Sequence, residues 1–151
     1  MIVEIKGEGE TQAFGVKLGA FLRGGEVIEL VGDVGAGKTA LTKGIAAGLG
    51  IDEDVQSPSF TISRVYDTPV HLHLAHYDFY RLSDPGIMAE ELSETLRDPE
   101  GITVVEWAEI VAGVLPADRL TIRISPTDEH DRRMRLTAGG EKSRALLEKM
   151  K

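Results

Sequence analysis

The stretch Glu26-Val27-Ile28-Glu29-Leu30-Val31, followed by Gly32-Asp33-Val34-Gly35-Ala36-Gly37-Lys38-Thr39-Ala40-Leu41, decides the fold. Residues 32–39 fit the phosphate-loop pattern G-x-x-x-x-G-K-[ST] in full. The pattern describes a physical device. Gly32, Gly35 and Gly37 let the chain bend tightly and bring backbone N–H groups against phosphate oxygens. The helix starting near Lys38 points its positive end at the same anion. Lys38 reaches the β- and γ-phosphates, and the Thr39 hydroxyl can ligate magnesium. The nucleotide cradle thus spans Gly32, Asp33, Val34, Gly35, Ala36, Gly37, Lys38, Thr39 and Ala40. A short apolar run rich in β-branched residues precedes the loop. Ala40–Leu49, with apolar residues at helical spacing, follows it. Strand, glycine loop, helix is the order the device requires. A glycine-rich turn that merely fits the pattern would need neither flank.

The remaining chain extends this unit into a three-layer α/β domain with a mixed, mostly parallel sheet. Ile2–Ile5 reads as a strand. Thr11 caps a helix through about Leu22 with Phe14, Leu18, Phe21 and Leu22 on its apolar side, and Gly24-Gly25 ends it. Phe60–Tyr66 and Val70–Phe79 read as strands joined by a turn at Asp67-Thr68-Pro69. Ser83-Asp84-Pro85 opens a helix to about Leu96. Ile102-Thr103-Val104-Val105 has the signature of a buried strand, and a short helical stretch, Ala108–Val114, stops before Pro116. Arg119–Ile124 and Arg132–Leu136 form an antiparallel pair, and Glu141–Met150 a terminal helix.

With 151 residues the chain reads as one domain, residues 1–151, large enough for a substantial core. Having no cysteine, it has neither disulfides, thiolate metal sites nor a Cys nucleophile. Met1 leads into a strand-like stretch with Glu4 and Lys6 rather than a secretory leader, and no apolar run approaches the ~20 residues that span a bilayer. A cytoplasmic protein with no membrane partner is expected. A net charge of −8 and a pI of about 5.0 argue against free binding to nucleic acid, which depends on Lys and Arg neutralising phosphates.

A phosphate loop alone binds; hydrolysis also needs magnesium and a group that positions water. Magnesium prefers oxygen ligands, one or two carboxylates among them, and ligands of open α/β sheets sit beyond the carboxyl ends of the parallel strands. Glu106, directly after the buried run Ile102–Val105, stands where such an acid is needed. The alternative, an acid that simply marks a strand end, explains its strand context less well. Asp78, in His76-Tyr77-Asp78-Phe79-Tyr80-Arg81, shares a strand face with His76 and Tyr80. It reads equally well as a group orienting water or a hydrated metal and as a solvated acid paired with Arg81.

Other features invite sharper readings than they support. His71, His73 and His76 suggest a metal cluster, but only His71 and His73 share a strand face. They read as surface or hairpin histidines, with His76 packed near Asp78. Arg132, Arg133 and Arg135 suggest an RNA patch or an arginine finger; in so acidic a chain they read as a solvated edge strand. Trp107 either covers the nucleotide site or packs against the sheet, with its place after Glu106 tilting toward the site. Tyr80 and Arg81 either face a partner or form surface pairs.

Four segments in order, the phosphate loop, Ser57-Pro58-Ser59-Phe60-Thr61, His76-Tyr77-Asp78-Phe79-Tyr80-Arg81-Leu82 and Val105-Glu106-Trp107, strongly resemble the TsaE (YjeE) family. The resemblance runs from the first helix to about Ile124. TsaE is the bacterial ATPase subunit of the machinery that makes N6-threonylcarbamoyladenosine (t6A) at position 37 of tRNA. The resemblance implies a P-loop fold, ATP and Mg2+ as cofactors, and weak intrinsic hydrolysis coupled to TsaD-like and TsaB-like partners, with tRNA met only through that complex. Threonylcarbamoyl transfer belongs to TsaD in that family. By the family pattern Thr39 and Glu106 hold magnesium, Asp78 acts near the attacking water beside Lys38, and Ser57–Thr61 is a switch-like segment responsive to nucleotide and partner. Two positions depart from it. Ala40 replaces a frequent second Thr, and Ser59 stands where Ser-Pro-Thr is usual. Two other functions compete. A small-molecule kinase would need an arginine-bearing lid over the phosphates, and the stretch after Asp78 offers only Arg81 and Arg97, with no obvious lid. A nucleotide-gated adaptor would dock partners without turnover.

Overall fold

The computed structural model describes residues 1–33, 35–58, 62–80 and 82–151. The apolar run before the glycine loop forms a central strand, and the rest of the chain is arranged around it. In chain order the elements are β1 (Ile2–Lys6), α1 (Glu8–Phe21), β2 (Val27–Val31), α2 (Lys38–Gly48), β3 (Ser63–Asp67), β4 (His73–Asp78), α3 (Gly86–Leu96), β5 (Gly101–Glu106), a 3-10 turn (Ala108–Val111), β6 (Leu120–Pro126), β7 (Asp131–Ala138) and α4 (Glu141–Lys149). They build one sheet in the order β1-β7-β6-β2-β5-β4-β3. The contacts β6–β2, β2–β5 and β5–β4 are parallel. The outer contacts β1–β7, β7–β6 and β4–β3 are antiparallel. The sheet is mixed, as its sequence predicts, with the parallel pairing confined to the four central strands. Every residue of β5 is buried, which is why this strand reads as a near-continuous apolar run.

Each face of the sheet carries its own core. On one, Leu18, Leu41, Ile45 and Leu146 from α1, α2 and α4 pack with Ile28, Leu30, Val104 and Ile122. On the other, Leu92 of α3 and Val111 of the 3-10 turn pack with Tyr77, Phe79 and Val105. This makes three layers. Where α1 crosses α2 the backbones nearly touch: a Cβ on Gly15 would lie 2.6 Å from the Leu41 carbonyl oxygen, and one on Gly44 would collide with the Gln12 carbonyl.

Several expected boundaries shift for identifiable reasons. Helix α1 begins at Glu8, not Thr11. Gly7, at φ 83°, turns the chain one step earlier, leaving Thr11 buried inside the helix with its hydroxyl 3.4 Å from the Gly7 carbonyl. Strand β4 begins at His73 rather than Val70, because Thr68 ties off the preceding turn: its N–H and hydroxyl both donate to the Leu72 carbonyl, at 3.2 and 2.8 Å. The helical stretch after Trp107 is only a 3-10 turn. Strand β7 lies between β1 and β6, so the arginine-rich segment is not an edge strand. Helix α3 opens as its sequence suggests, with the Asp84 carboxylate accepting the Gly86 N–H at 2.9 Å. Among the described residues no helix is long and apolar enough to cross a membrane.

Helix α4 is capped from a distance. The Asp118 carboxylate accepts the Ser143 hydroxyl at 2.6 Å and the Ser143 and Lys142 N–H groups at 2.9 Å each. The hydrogen bonds from Ser143, then that from Lys142, hold its carboxyl below the ordinary 3.8. Asp118→Ala is expected to lower stability by about 1 kcal/mol, the usual worth of a cap, or ~3 °C in a thermal melt. Because the folded-state pKa is depressed, this contribution is complete above the unfolded-state value and disappears as pH falls through the folded one. Melts at neutral pH and near pH 3 should therefore show the gap between wild type and variant narrowing in acid.

Candidate active site

Three of the four parallel strands, β2, β5 and β4, bring the candidate residues together at their carboxyl ends. In register, Asp78 at the end of β4 lies opposite Glu106 at the end of β5, and Glu106 lies opposite Leu30 of β2. From β2 the chain passes through the glycine loop into α2, whose first residues are Lys38 and Thr39. Gly35 and Gly37 have φ of 83° and 109°, left-handed conformations in which other residues are strained. A Cβ on Gly32 would sit 2.8 Å from the Ile124 carbonyl oxygen of β6. These glycines are required by the path of the chain.

The loop opens onto a cleft of about 600 Å³ whose lining includes Lys38, Thr39, Ser57, Asp78, Glu106 and Trp107. Lys38 is buried at the bottom. Its ammonium donates to the Gly32 carbonyl at 2.6 Å, stands 3.9 Å from Glu106 Oε1 and lies 4.0 Å from the centre of the Trp107 ring. Burial lowers its pKa below the ordinary 10.5, opposed by the negative charge of Glu106 first and then of Asp78 and Asp33. Thr39 is exposed toward the cleft, and Ala40 is buried. Asp78 is fixed at both oxygens: Oδ2 accepts the Ser57 hydroxyl at 3.1 Å and Oδ1 the Tyr80 N–H at 3.0 Å. Trp107 has φ 56°, a rare value for a bulky side chain, and its ring lies 4.9 Å from that of the exposed Tyr80. Pro58, next in the chain after Ser57, is buried. Val34, Ser59, Phe60, Thr61 and Arg81 lie outside the described residues, and with them part of the switch-like segment and the Asp78–Arg81 pairing.

Two residues take places that the sequence reading did not foresee. His76 is not a surface histidine: it is fully buried, with Nε2 2.6 Å from Glu106 Oε2. Its spacing two residues before Asp78 put it on the right face, but only the adjacency of β4 and β5 brings it to Glu106. Arg132 is not a solvated strand residue. Its guanidinium donates to the Ala36 carbonyl at 3.2 Å and the Gly35 carbonyl at 3.5 Å, bracing the glycine loop from β7. The chain separation of nearly a hundred residues leaves no local signal for that contact. His71, His73 and Arg133 do not line the cleft: His71 is exposed, His73 pairs with Asp98 at 2.7 Å, and Arg133 pairs with Glu4 at 2.7 Å.

The cleft presents hard oxygen donors, the Thr39 hydroxyl and the carboxylates of Asp78 and Glu106. Among the described residues no group of three His, Cys, Asp or Glu is placed to hold a metal by itself. This donor set suits an ion such as magnesium, which takes one or two protein oxygens and completes its shell with phosphate and water.

A strand, a glycine loop with two left-handed residues and a helix opening on a buried lysine, in a sheet with a parallel centre, define a P-loop-type α/β protein. Comparison with known proteins narrows the class. The family model for the threonylcarbamoyl adenosine biosynthesis protein TsaE matches residues 5–134. The tRNA threonylcarbamoyladenosine biosynthesis protein TsaE of Bacillus subtilis (strain 168) is 40% identical over 142 residues, covering 93% of this chain and 87% of the relative. The protein of the same description from Streptomyces coelicolor is 38% identical, with 85% of this chain and 90% of the relative covered. The crystal structure of Bacillus subtilis YdiB superposes with a TM-score of 0.83 at 34% identity over 99% of this chain and 93% of that one. The chain belongs to the TsaE family. The matched region extends past Ile124 into β7 and so includes Arg132.

Proposed function

We propose that this protein binds ATP with Mg2+, hydrolyses it slowly on its own, and uses the cycle to drive a step of tRNA t6A biosynthesis in a complex with TsaD-like and TsaB-like proteins. The observation that carries the reading is the convergence of Lys38, Thr39, Asp78 and Glu106 on a cleft of about 600 Å³ that the glycine loop borders. Family membership supplies the pathway. The charge of −8 supports an indirect relation to tRNA, with the partners holding the nucleic acid.

In this mechanism the N–H groups of the loop and the start of α2 cradle the phosphates. Lys38 leaves the Gly32 carbonyl for the phosphate oxygens and offsets the charge that develops on them. Asp78, its direction set by Ser57 and Tyr80, orients the attacking water. Thr39 and Glu106 would hold magnesium, which supplies electrostatic stabilisation of the triphosphate.

The test is phosphate release with and without the purified TsaD-like and TsaB-like proteins. Stimulation above about tenfold is expected, since a group supplied in trans is worth roughly 10³–10⁵ at other phosphoryl-transfer sites. An unchanged rate in a complex shown to assemble refutes the coupling. Asp78→Asn addresses turnover separately: if it abolishes hydrolysis yet leaves tRNA modification at the wild-type level, ATP acts as a gate and not as a fuel.

A further inference from the structure

We propose that His76 is a positioning residue that aims Glu106 at the nucleotide-bound metal. The inference rests on the ATP–magnesium reading above. His76 has no exposed surface, and neighbouring positions of the same face, Leu74 and Val104, are fully buried and apolar. A packed hydrocarbon would be the simpler occupant, because burying an imidazole requires its nitrogens to be satisfied. Only one nitrogen is. Nε2 donates to Glu106 Oε2 at 2.6 Å, while Nδ1 is buried without a hydrogen-bond partner among the described residues. The fold thus carries an orphaned ring nitrogen in its core, and what it gains is a directed donor to one carboxylate oxygen.

That donor matters because of what Lys38 does. Glu106 is only 3% exposed, and its second oxygen, Oε1, faces Lys38 at 3.9 Å. When Lys38 moves to the phosphates its charge is shared with them, and the 2.6 Å bond from His76 still holds Glu106. A carboxylate tethered at Oε2 presents Oε1 to the cleft in a fixed direction. An untethered one is free to rotate, and the entropy of fixing it is then charged against metal binding. Partners that orient a metal's ligands are worth about 10–100-fold in affinity at sites of this type.

The experiment uses the full chain and Mn2+ as the probe, titrated by electron paramagnetic resonance in the presence of a non-hydrolysable ATP analogue. The affinity for the analogue in EDTA is measured separately. His76→Phe keeps the ring and removes the donor; His76→Gln keeps an N–H donor. Expected are a loss of tenfold or more in Mn2+ affinity for His76→Phe, a metal-free analogue affinity within twofold of wild type, and substantial recovery of metal affinity in His76→Gln. Should His76→Phe fail to fold, His76→Asn, whose amide is too short to span the gap, takes its place. A folded donor-less variant with wild-type Mn2+ affinity overturns the inference, as does a His76→Gln protein as impaired as the donor-less one. If wild type itself binds the analogue without any Mn2+ dependence, the magnesium reading fails first, and that result is distinguishable from the other two.

Discussion

Gly44→Val is expected to destabilise the protein by about 3 kcal/mol or more and to lower its melting temperature by roughly 10 °C. The cause lies in how α1 and α2 meet. A Cβ on Gly44 would run into the Gln12 carbonyl, with the Gly15 Cα at 3.0 Å, and one on Gly19 would collide with the Ile45 carbonyl. The obstacles are backbone atoms, so no rotamer change relieves them and the helices must separate. Two opposing effects set the size. Glycine within a helix is about 1 kcal/mol worse than alanine, and valine recovers part of that. Inserting a side chain into a closed contact typically costs about 1–3 kcal/mol per small overpacking step, and valine adds three carbons. Against a total stability of about 5–15 kcal/mol, sterics win. Gly9 provides the contrast. It lies in the same helix α1, with nothing within 4 Å of its would-be Cβ. Gly9→Ala is therefore expected to stabilise by about 0.5–1 kcal/mol. Denaturant unfolding of the two variants checks the argument: if Gly44→Val stays within 1 kcal/mol of wild type, the helices do not pack as described. Because α2 begins with Lys38 and Thr39, a shifted α2 should weaken nucleotide binding as well.

This interlock marks where sequence reading stops. The apolar face of α1 was legible from the spacing of Phe14, Leu18, Phe21 and Leu22, and Leu18 and Leu22 are indeed buried. Gly15 and Gly19 carry no such signal: alone, a glycine in a helical pattern looks like a weakness, and its purpose appears only when the partner helix is present. The same division holds at the cleft. The glycine loop, its strand and its helix are local and follow from consecutive residues, and so does Glu106 at the end of an apolar run. The ladder that sets Asp78 opposite Glu106, the His76 bond to Glu106 and the brace from Arg132 all depend on which strands are neighbours. That order, β6-β2-β5-β4, is a property of the whole chain. The arginine-bearing strand β7 reads as an edge for this reason, since charge alone does not reveal that β1 covers its outer side.

Lys38→Ala is expected to raise the dissociation constant for ATP, or cut turnover, by about 10²–10³-fold, the loss seen when a preorganised electrostatic group is removed from a reacting site. The structure makes the effect more than the loss of one contact. Lys38 is held by the Gly32 carbonyl, by Glu106 and by the face of Trp107. Its pKa is lowered because burial disfavours the ammonium more than the nearby acids favour it. A triphosphate arriving in the cleft supplies the missing negative charge, so it draws the ammonium away from the ring. Trp107 is the chain's single tryptophan, and its emission should report that departure. ATP is expected to change the fluorescence of wild type and leave that of Lys38→Ala unchanged at matched concentrations. Lys38→Arg separates charge from shape: it keeps the cation, but a planar guanidinium does not fit the pocket between the Gly32 carbonyl and the indole as a compact ammonium does. It should retain some binding while losing most turnover. An Ala variant that binds and hydrolyses ATP within threefold of wild type would remove Lys38 from the site, and with it the case for reading this cleft as the place where phosphate chemistry occurs.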